Sequence, residues 1–353
     1  MAKSISKCGK LGVGVIGVGI GKLHLQGYTE SPDAEIIALC DIDEPRAKRA
    51  AEKFSVPKIY ADYHELLADD RIDAVSVAVP NYLHAPMVID AFAAGKHVIC
   101  EKPLTIDQKD GEAMIEAGKK AGKLFMTAFN NRFRGDTQVL KTLIENGELG
   151  NIYYGKTGWL RRKGIPGMGG WFTTKAKSGG GPLIDIGVHV LDLALWLMGN
   201  PKAVSVTGST YAEFGPKGEG MSTYGNPEAG GCFDVEDLAS AFIRLDSGAT
   251  LVLEASWASH IKEDDRIYTE LMGTKGGAKV APLAVYKDMY GRPVDITPSY
   301  QEMVGHTMEI KHFVDCIVNG TKLISTGEHG LEVVRILNAI YKSAREHKEI
   351  SLR

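Results

Sequence analysis

The sequence predicts an α/β chain: a doubly wound parallel sheet, then an α+β region built on a large, mostly antiparallel open sheet. Three observations predict it. The first third alternates short Val/Ile-rich runs with helical patterns, and a glycine loop joins the first run to the first helix. From about residue 150 the continuous apolar runs give way to alternating ones. At 353 residues the chain exceeds the usual limit of a single core, so two domains are expected, spanning residues 1–130 and 131–353.

The elements follow in order. "KLGVGVIG", "EIIALCD", "AVSVAVP", "HVICEKP" and "LFMTAFN" are short and apolar throughout, as strands buried on both faces should be. Between them, "EPRAKRAAEKF", "HAPMVIDAFAAG" and "DGEAMIEAGKKAG" read as helices, the last two ending at glycine. Repeated β-α units imply a parallel sheet. Further on, "IYYGKTGWL", "KAVSVTGSTY", "LASAFIRL", "ATLVLEASW" and "RIYTELMG" suit strands with one face exposed, and two helices near 306–319 and 327–346 close the chain.

A formal net charge of −3 with no Lys/Arg-rich run gives no reason to expect nucleic acid or a membrane as partner. The start of the chain reads as a first strand rather than a signal peptide. Cys8, Cys40, Cys100, Cys232 and Cys316 are scattered and form no zinc or redox spacing. A reducing, cytoplasmic setting is expected, and no metal.

The loop "IGVGIGKLH" sets Gly17, Gly19, Ile20 and Gly21 between a strand and a helix, where backbone N–H groups can receive a pyrophosphate. Alone it is also an ordinary turn, since Lys22 stands where the sixth-place glycine of G-x-G-x-x-G belongs. Asp41 ends the second strand about 20 residues on, the place of an acid that binds ribose hydroxyls, with Ile42 beside it. A carboxylate there repels a 2′-phosphate, so NAD is expected in preference to NADP. Capping of the helix near Pro45 is the plainer role for Asp41, and Arg46 leaves room for NADP.

Ligands of such sheets lie beyond the carboxyl ends of the strands. Val79, Pro80, Asn81 and His84 leave one strand there; Glu101 and Lys102 leave another. A solvated lysine and a helix-capping histidine are the alternatives. In "SGGGPLIDIGVHVLDLALWLMG", Asp185, His189 and Asp192 interrupt a greasy helix at spacings of four and three. Positions so spaced share a helix face. A carboxylate beside an imidazole favours the protonated ring, which suits a base that takes a hydroxyl proton. A solvated polar stripe is the competing account, and Asp192 reads as structural.

"GVGIGKLH", Asp41, "PNYLHAP", "CEKPL", "FNNRF" and "GGGPLIDIGVHVLDL" occur in an order that resembles the glucose–fructose oxidoreductase and inositol dehydrogenase (Gfo/Idh/MocA) family over nearly the whole chain. The resemblance implies a Rossmann domain, then an α+β domain that binds substrate and forms a dimer or tetramer. It also implies hydride transfer between nicotinamide and a hydroxyl carbon of a sugar, cyclitol or related polyol. Lys102, Asp185 and His189 would be catalytic, with Lys102 on the reacting oxygen. Asn130 would approach the nicotinamide and Asn131 the substrate. Arg161 and Trp171, in the glycine-rich stretch before the Asp/His helix, would suit a sugar by hydrogen bonding and stacking; a plain surface loop accounts for the same residues. Redox-neutral glycoside cleavage with NAD retained, and a non-catalytic NAD-responsive regulator, remain as alternatives.

Overall fold

The computed structural model describes residues 9–225 and 227–353; Cys8 lies outside the described residues. The chain opens with β1 (Leu11–Ile16), α1 (Lys22–Thr29), β2 (Ala34–Cys40), α2 (Glu44–Phe54), β3 (Lys58–Tyr60) and α3 (Tyr63–Leu67). It continues through β4 (Ala74–Val77), α4 (His84–Ala93), β5 (His97–Glu101), α5 (Gln108–Ala121) and β6 (Phe125–Ala128). The middle contributes α6 (Gly135–Glu145), β7 (Ile152–Arg161), α7 (Lys175–Ser178), α8 (Val188–Leu197), β8 (Ala203–Tyr211), β9 (Leu238–Leu245) and β10 (Thr250–Ser256). Then come β11 (Asp265–Gly273), β12 (Gly277–Val280), β13 (Ala284–Met289), β14 (Arg292–Ile296), α9 (Gly305–Val318), α10 (Gly327–Glu346) and β15 (Ile350–Ser351). Contacts divide the chain into one unit of residues 1–134 and 303–331 and another of 135–302 and 332–353.

In the first unit six parallel strands run in the order β3-β2-β1-β4-β5-β6. Every residue of β1, β4 and β6 is buried, which is why these runs are apolar without alternation. The order reverses between β1 and β4, and a crevice opens at such a point beyond the carboxyl ends. Helices α2, α4, α9 and α10 start within a residue of where the sequence suggests, whereas α3, α6 and α7 were not foreseen. The cap of α2 is Asp43, whose side chain accepts from the Arg46 N–H at 2.9 Å, and not Asp41.

The contact units differ from the expected division between residues 130 and 131 chiefly in the later segment 303–331. Ile310, Phe313 and Val314 of α9 are buried in the same cluster as Val13, Val15 and Leu25. Arg132 Nη1 donates to the Ile324 carbonyl at 2.7 Å, and Ser325 Oγ donates to the Thr127 carbonyl at 2.7 Å. The chain therefore returns to its first unit late, because the apolar face of α9 covers core that the earlier helices leave open.

The second unit holds a nine-stranded sheet, β14-β13-β12-β11-β7-β10-β9-β8-β15, in which β7 and β10 are the parallel pair. Burial alternates along β9 and β10, so one face meets core. The stretch Lys175–Leu197 is long and apolar enough to cross a membrane, yet 89% of its most apolar window is buried inside the fold, as in a core helix. It is also not one regular helix. α7 ends at Gly179 in a left-handed conformation, and Leu183–Gly187 form a π-helical turn before α8.

His97 offers a test of this packing. Its Nδ1 accepts from the Leu124 N–H at 3.1 Å, and burial, aided by Lys123, lowers its pKa to about 4. The unfolded chain then binds the extra proton between the ordinary value near 6.5 and about 4. Stability is full above that window and falls as pH drops through it. In urea titrations across this range, His97→Gln should flatten the acid-side loss; an unchanged slope would remove His97 as its source.

Candidate active site

In the first unit the loop after β1 has the form a diphosphate requires. Gly17 has a φ of 84°, and a Cβ there would strike the Ala78 carbonyl. Gly19 is exposed, and a Cβ on it would meet nothing within 4 Å. Ile20 is half-buried and Gly21 is the N-cap of α1, which has neither a side-chain cap nor an acid in its first turn. Its N-terminal N–H groups and positive end are suited to an anion.

Asp41 holds this loop. Its Oδ2 accepts from the Val18 N–H at 2.8 Å and from Arg46 Nε at 3.1 Å, while Oδ1 accepts from the Asp43 N–H and Arg46 Nη2, both at 2.8 Å. Burial works to raise its pKa, but Arg46 and the two backbone donors together hold the carboxyl below its usual range. Ile42, by contrast, is 94% exposed.

Val79 and Pro80 are half-buried past β4, and Asn81 is buried in the turn Asn81–Leu83. His84 is wholly buried. Its Nδ1 lies 2.8 Å from the Pro103 carbonyl and its Nε2 2.9 Å from the Val79 carbonyl. The ring therefore lies between the two loops that follow β4 and β5, and in its neutral form donates to one of the two carbonyls. Neither nitrogen is turned outward, so the expected cofactor contact of His84 would have to come from its other atoms. Burial lowers its pKa against the pull of these carbonyls.

Glu101 is buried and Lys102 half-exposed. Glu101 Oε2 accepts from the Lys102 backbone N–H at 3.1 Å, and Oε1 lies 3.0 Å from His24 Nε2. His24 Nδ1 is 2.9 Å from Ser76 Oγ, which is in turn 2.9 Å from the Tyr28 hydroxyl. Burial disfavours the Glu101 charge, but His24 and then Lys102 outweigh it and lower its pKa. Glu309 has its pKa raised by burial despite a 3.2 Å contact with His306 Nδ1, and its Oε2 is buried without a hydrogen-bond partner. Ligand atoms of His24, Glu101 and Glu309 lie within 4.8 Å of one another, and both His24 nitrogens already face hydrogen-bonding partners. Glu101 thus bonds the backbone N–H of Lys102 where the chain leaves β5.

Asn130 and Asn131 open a short turn past β6 and are half-buried; Asn130 Oδ1 is a buried acceptor with no hydrogen-bond partner. The exposed, open Gly19, the uncapped α1 and this orphaned acceptor all fit a bound dinucleotide.

In the second unit every residue from Gly180 to Leu197 is buried except Asp185 and His189, which are half-exposed. Asp185 lies in the π-helical turn, so the regular α-helical spacing expected of the pair is corrected; such turns are frequent at functional sites. The Trp257 indole N–H donates to Asp185 Oδ2 at 3.0 Å. The His189 ring lies 5.8 Å from that of Trp159. Trp159 Nε1 donates to Asp265 at 2.6 Å, and the Arg161 guanidinium sits 5.0 Å from the Trp159 ring centre. Trp171 stacks on Phe172 with ring centres 3.8 Å apart. Asp192 is wholly buried.

Sequence reasoning missed Trp257, His24 and Glu309. Trp257 is 72 positions from Asp185, and no local pattern links them. His24, one turn into α1, and Glu309, three residues after His306, had weak signals in their spacing.

The class is defined by a family model described as an oxidoreductase family with an NAD-binding Rossmann fold, which matches residues 11–129; the GFO/IDH/MocA C-terminal domain matches residues 137–279. The chain belongs to the GFO/IDH/MocA family of oxidoreductases, and its cofactor is NAD. D-glucoside 3-dehydrogenase of Escherichia coli is 32% identical, over 99% of this chain and 100% of its own length. Myo-inositol 2-dehydrogenase of Thermotoga maritima is 30% identical over 96% and 98%. A levoglucosan dehydrogenase solved with NADH and levoglucosan superposes with a TM-score of 0.84 at 27% identity, covering 97% of this chain and 99% of that one.

Gly19→Val separates folding from binding. It should keep the melting temperature within about 2 °C, as an exposed position with free space allows. NADH binding, followed by fluorescence titration, should weaken about tenfold or more, roughly 1.4 kcal/mol. Unchanged affinity would take the loop out of the cofactor site.

Proposed function

We propose that the chain oxidises a hydroxyl carbon of a sugar, cyclitol or glycoside, with Lys102, Asp185 and His189 as the catalytic set. The observation that carries this reading is the exposure of Asp185 and His189 alone within an otherwise buried run. Relatives named for a glucoside, an inositol and levoglucosan support the substrate class.

His189 takes the hydroxyl proton, and Asp185, oriented by Trp257, holds the imidazole or shares its proton. Lys102 donates a hydrogen bond to the reacting oxygen and stabilises negative charge as it develops there. Bound NAD supplies the hydride acceptor. Gly17, Gly19, Ile20 and Gly21 would hold its pyrophosphate, Asp41 and Ile42 its adenosine ribose, and Val79, Pro80, Asn81 and Asn130 its nicotinamide side. Asn131, Arg161 and Trp171 would contact the sugar. Exposed aromatics on the large sheet, Tyr153, Tyr211, Phe242 and Tyr286, support a homo-oligomer built on it.

Turnover on a panel of monosaccharides, inositols and glycosides, with free NADH accumulating, tests the reading. Bound NAD without NADH release on any substrate would favour redox-neutral chemistry or a regulator. Lys102→Ala and His189→Ala should each lower kcat by about 10²-fold while NADH still binds; wild-type turnover in either removes that residue from the set. Asp41→Ala should weaken NAD and relax its preference over NADP. An unchanged ratio of the two affinities would exclude Asp41 from the ribose.

A further inference from the structure

The run that carries Asp185 and His189 begins at a buried carboxylate outside the proposed catalytic set. Glu236 Oε2 accepts from the Gly181 N–H at 2.9 Å; its Oε1 accepts from the Leu183 N–H at 3.1 Å and from the Tyr341 hydroxyl at 2.9 Å. Glu236 is 7% exposed and Tyr341 8%. Donors at the start of a helical segment have no partner within it, and leaving them bare in an interior is costly. Burial raises the Glu236 pKa against the pull of its donors.

The approach is close enough to dictate sequence. A Cβ on Gly181 would strike the Glu236 carbonyl, and one on Gly180 would strike the Tyr341 hydroxyl. Both glycines are therefore required by contact, which a surface loop would not demand.

A second tie sits next door. The Trp257 backbone N–H donates to the Asp237 carbonyl at 2.9 Å, and its indole N–H holds Asp185. Adjacent residues 236 and 237 thus anchor the start of the segment and the tryptophan that grips Asp185. Between these anchors lies the π-helical turn Leu183–Gly187. A π turn is rare and short because its bonding is less favourable than α-helical bonding, so outside contacts must hold it.

From this geometry we infer that Glu236 and Tyr341 are positioning residues: they hold the π turn that sets where Asp185 stands relative to His189. The inference rests on the reading of Asp185 and His189 as catalytic for its effect on turnover, but its structural part stands apart from that reading. Neither Glu236 nor Tyr341 touches substrate or cofactor in this scheme.

The experiment compares Glu236→Gln and Tyr341→Phe with wild type in crystal structures and in kinetics. It adds Asp185→Ala alone and combined with Glu236→Gln. Glutamine keeps one acceptor oxygen and turns an amide N–H toward a donor, so one anchor must break. The Glu236→Gln crystal structure should show Leu183–Gly187 relaxed toward α-helix and the Asp185–Trp257 bond lost. Its kcat should fall about tenfold, with a shifted acid limb in the pH profile and NADH affinity within about twofold; in the Asp185→Ala background it should add nothing. Tyr341→Phe, which removes one hydroxyl, should give a smaller loss of the same kind and carries the test should Glu236→Gln fail to fold. An intact π turn in either folded variant overturns the inference, as does a full further loss on top of Asp185→Ala. Relaxed variants of a wild type that turns over no panel member support the structural inference and overturn the catalytic reading instead.

Discussion

Burial of the run from Gly180 to Leu197 is the constraint on which the second unit depends. An apolar segment can be desolvated freely, but its backbone donors and any carboxylate within it must find partners. Glu236 answers the backbone at the start of the run and Trp257 answers Asp185. The outcome is a rigid core element with polar side chains reaching outward at Asp185 and His189. The proposed catalytic pair would gain from such a mounting, since misplacement of the groups by about 1 Å costs as much as 10²-fold in rate.

The first unit meets the same constraint differently. Parallel strands buried on both faces can offer polar groups only where they end, and all its proposed cofactor contacts lie past strand ends. Behind Lys102 stands a closed chain of hydrogen bonds from Glu101 through His24 and Ser76 to Tyr28. Burial would favour neutral acids here. His24 lets Glu101 keep its charge, whereas Glu309 with its buried, unpartnered oxygen has its pKa raised. This asymmetry leaves a charged carboxylate bonded to the backbone N–H of Lys102.

Much of this was readable from residues in line. The continuous apolar runs announced the parallel strands, the alternating ones announced the open sheet, and Asp185 and His189 stood out because nothing else polar but Asp192 broke their helix. The failures were of one kind. His84 looked like a ligand contact because it begins a helix past a strand end, and only its distances to the Pro103 and Val79 carbonyls show it turned inward. For Asp41, read as the ribose acid, only the capping alternative fell: Asp43 is the cap and Asp41 holds the glycine loop. The return of residues 303–331 to the first unit left no mark on local composition.

The sequence by itself determined the long strands but not the short β3 or β12–β15, and it showed where the glycine loop and its acid fall and which polar residues interrupt apolar runs. These depend on periodicity and on neighbours a few positions apart. Tertiary structure alone decided what each polar group bonds to: Trp257 with Asp185, Glu236 with Gly181, His24 with Glu101. Those partners are brought together by sheet order and helix packing across separations of 55 to 77 residues, and no local pattern carries that information.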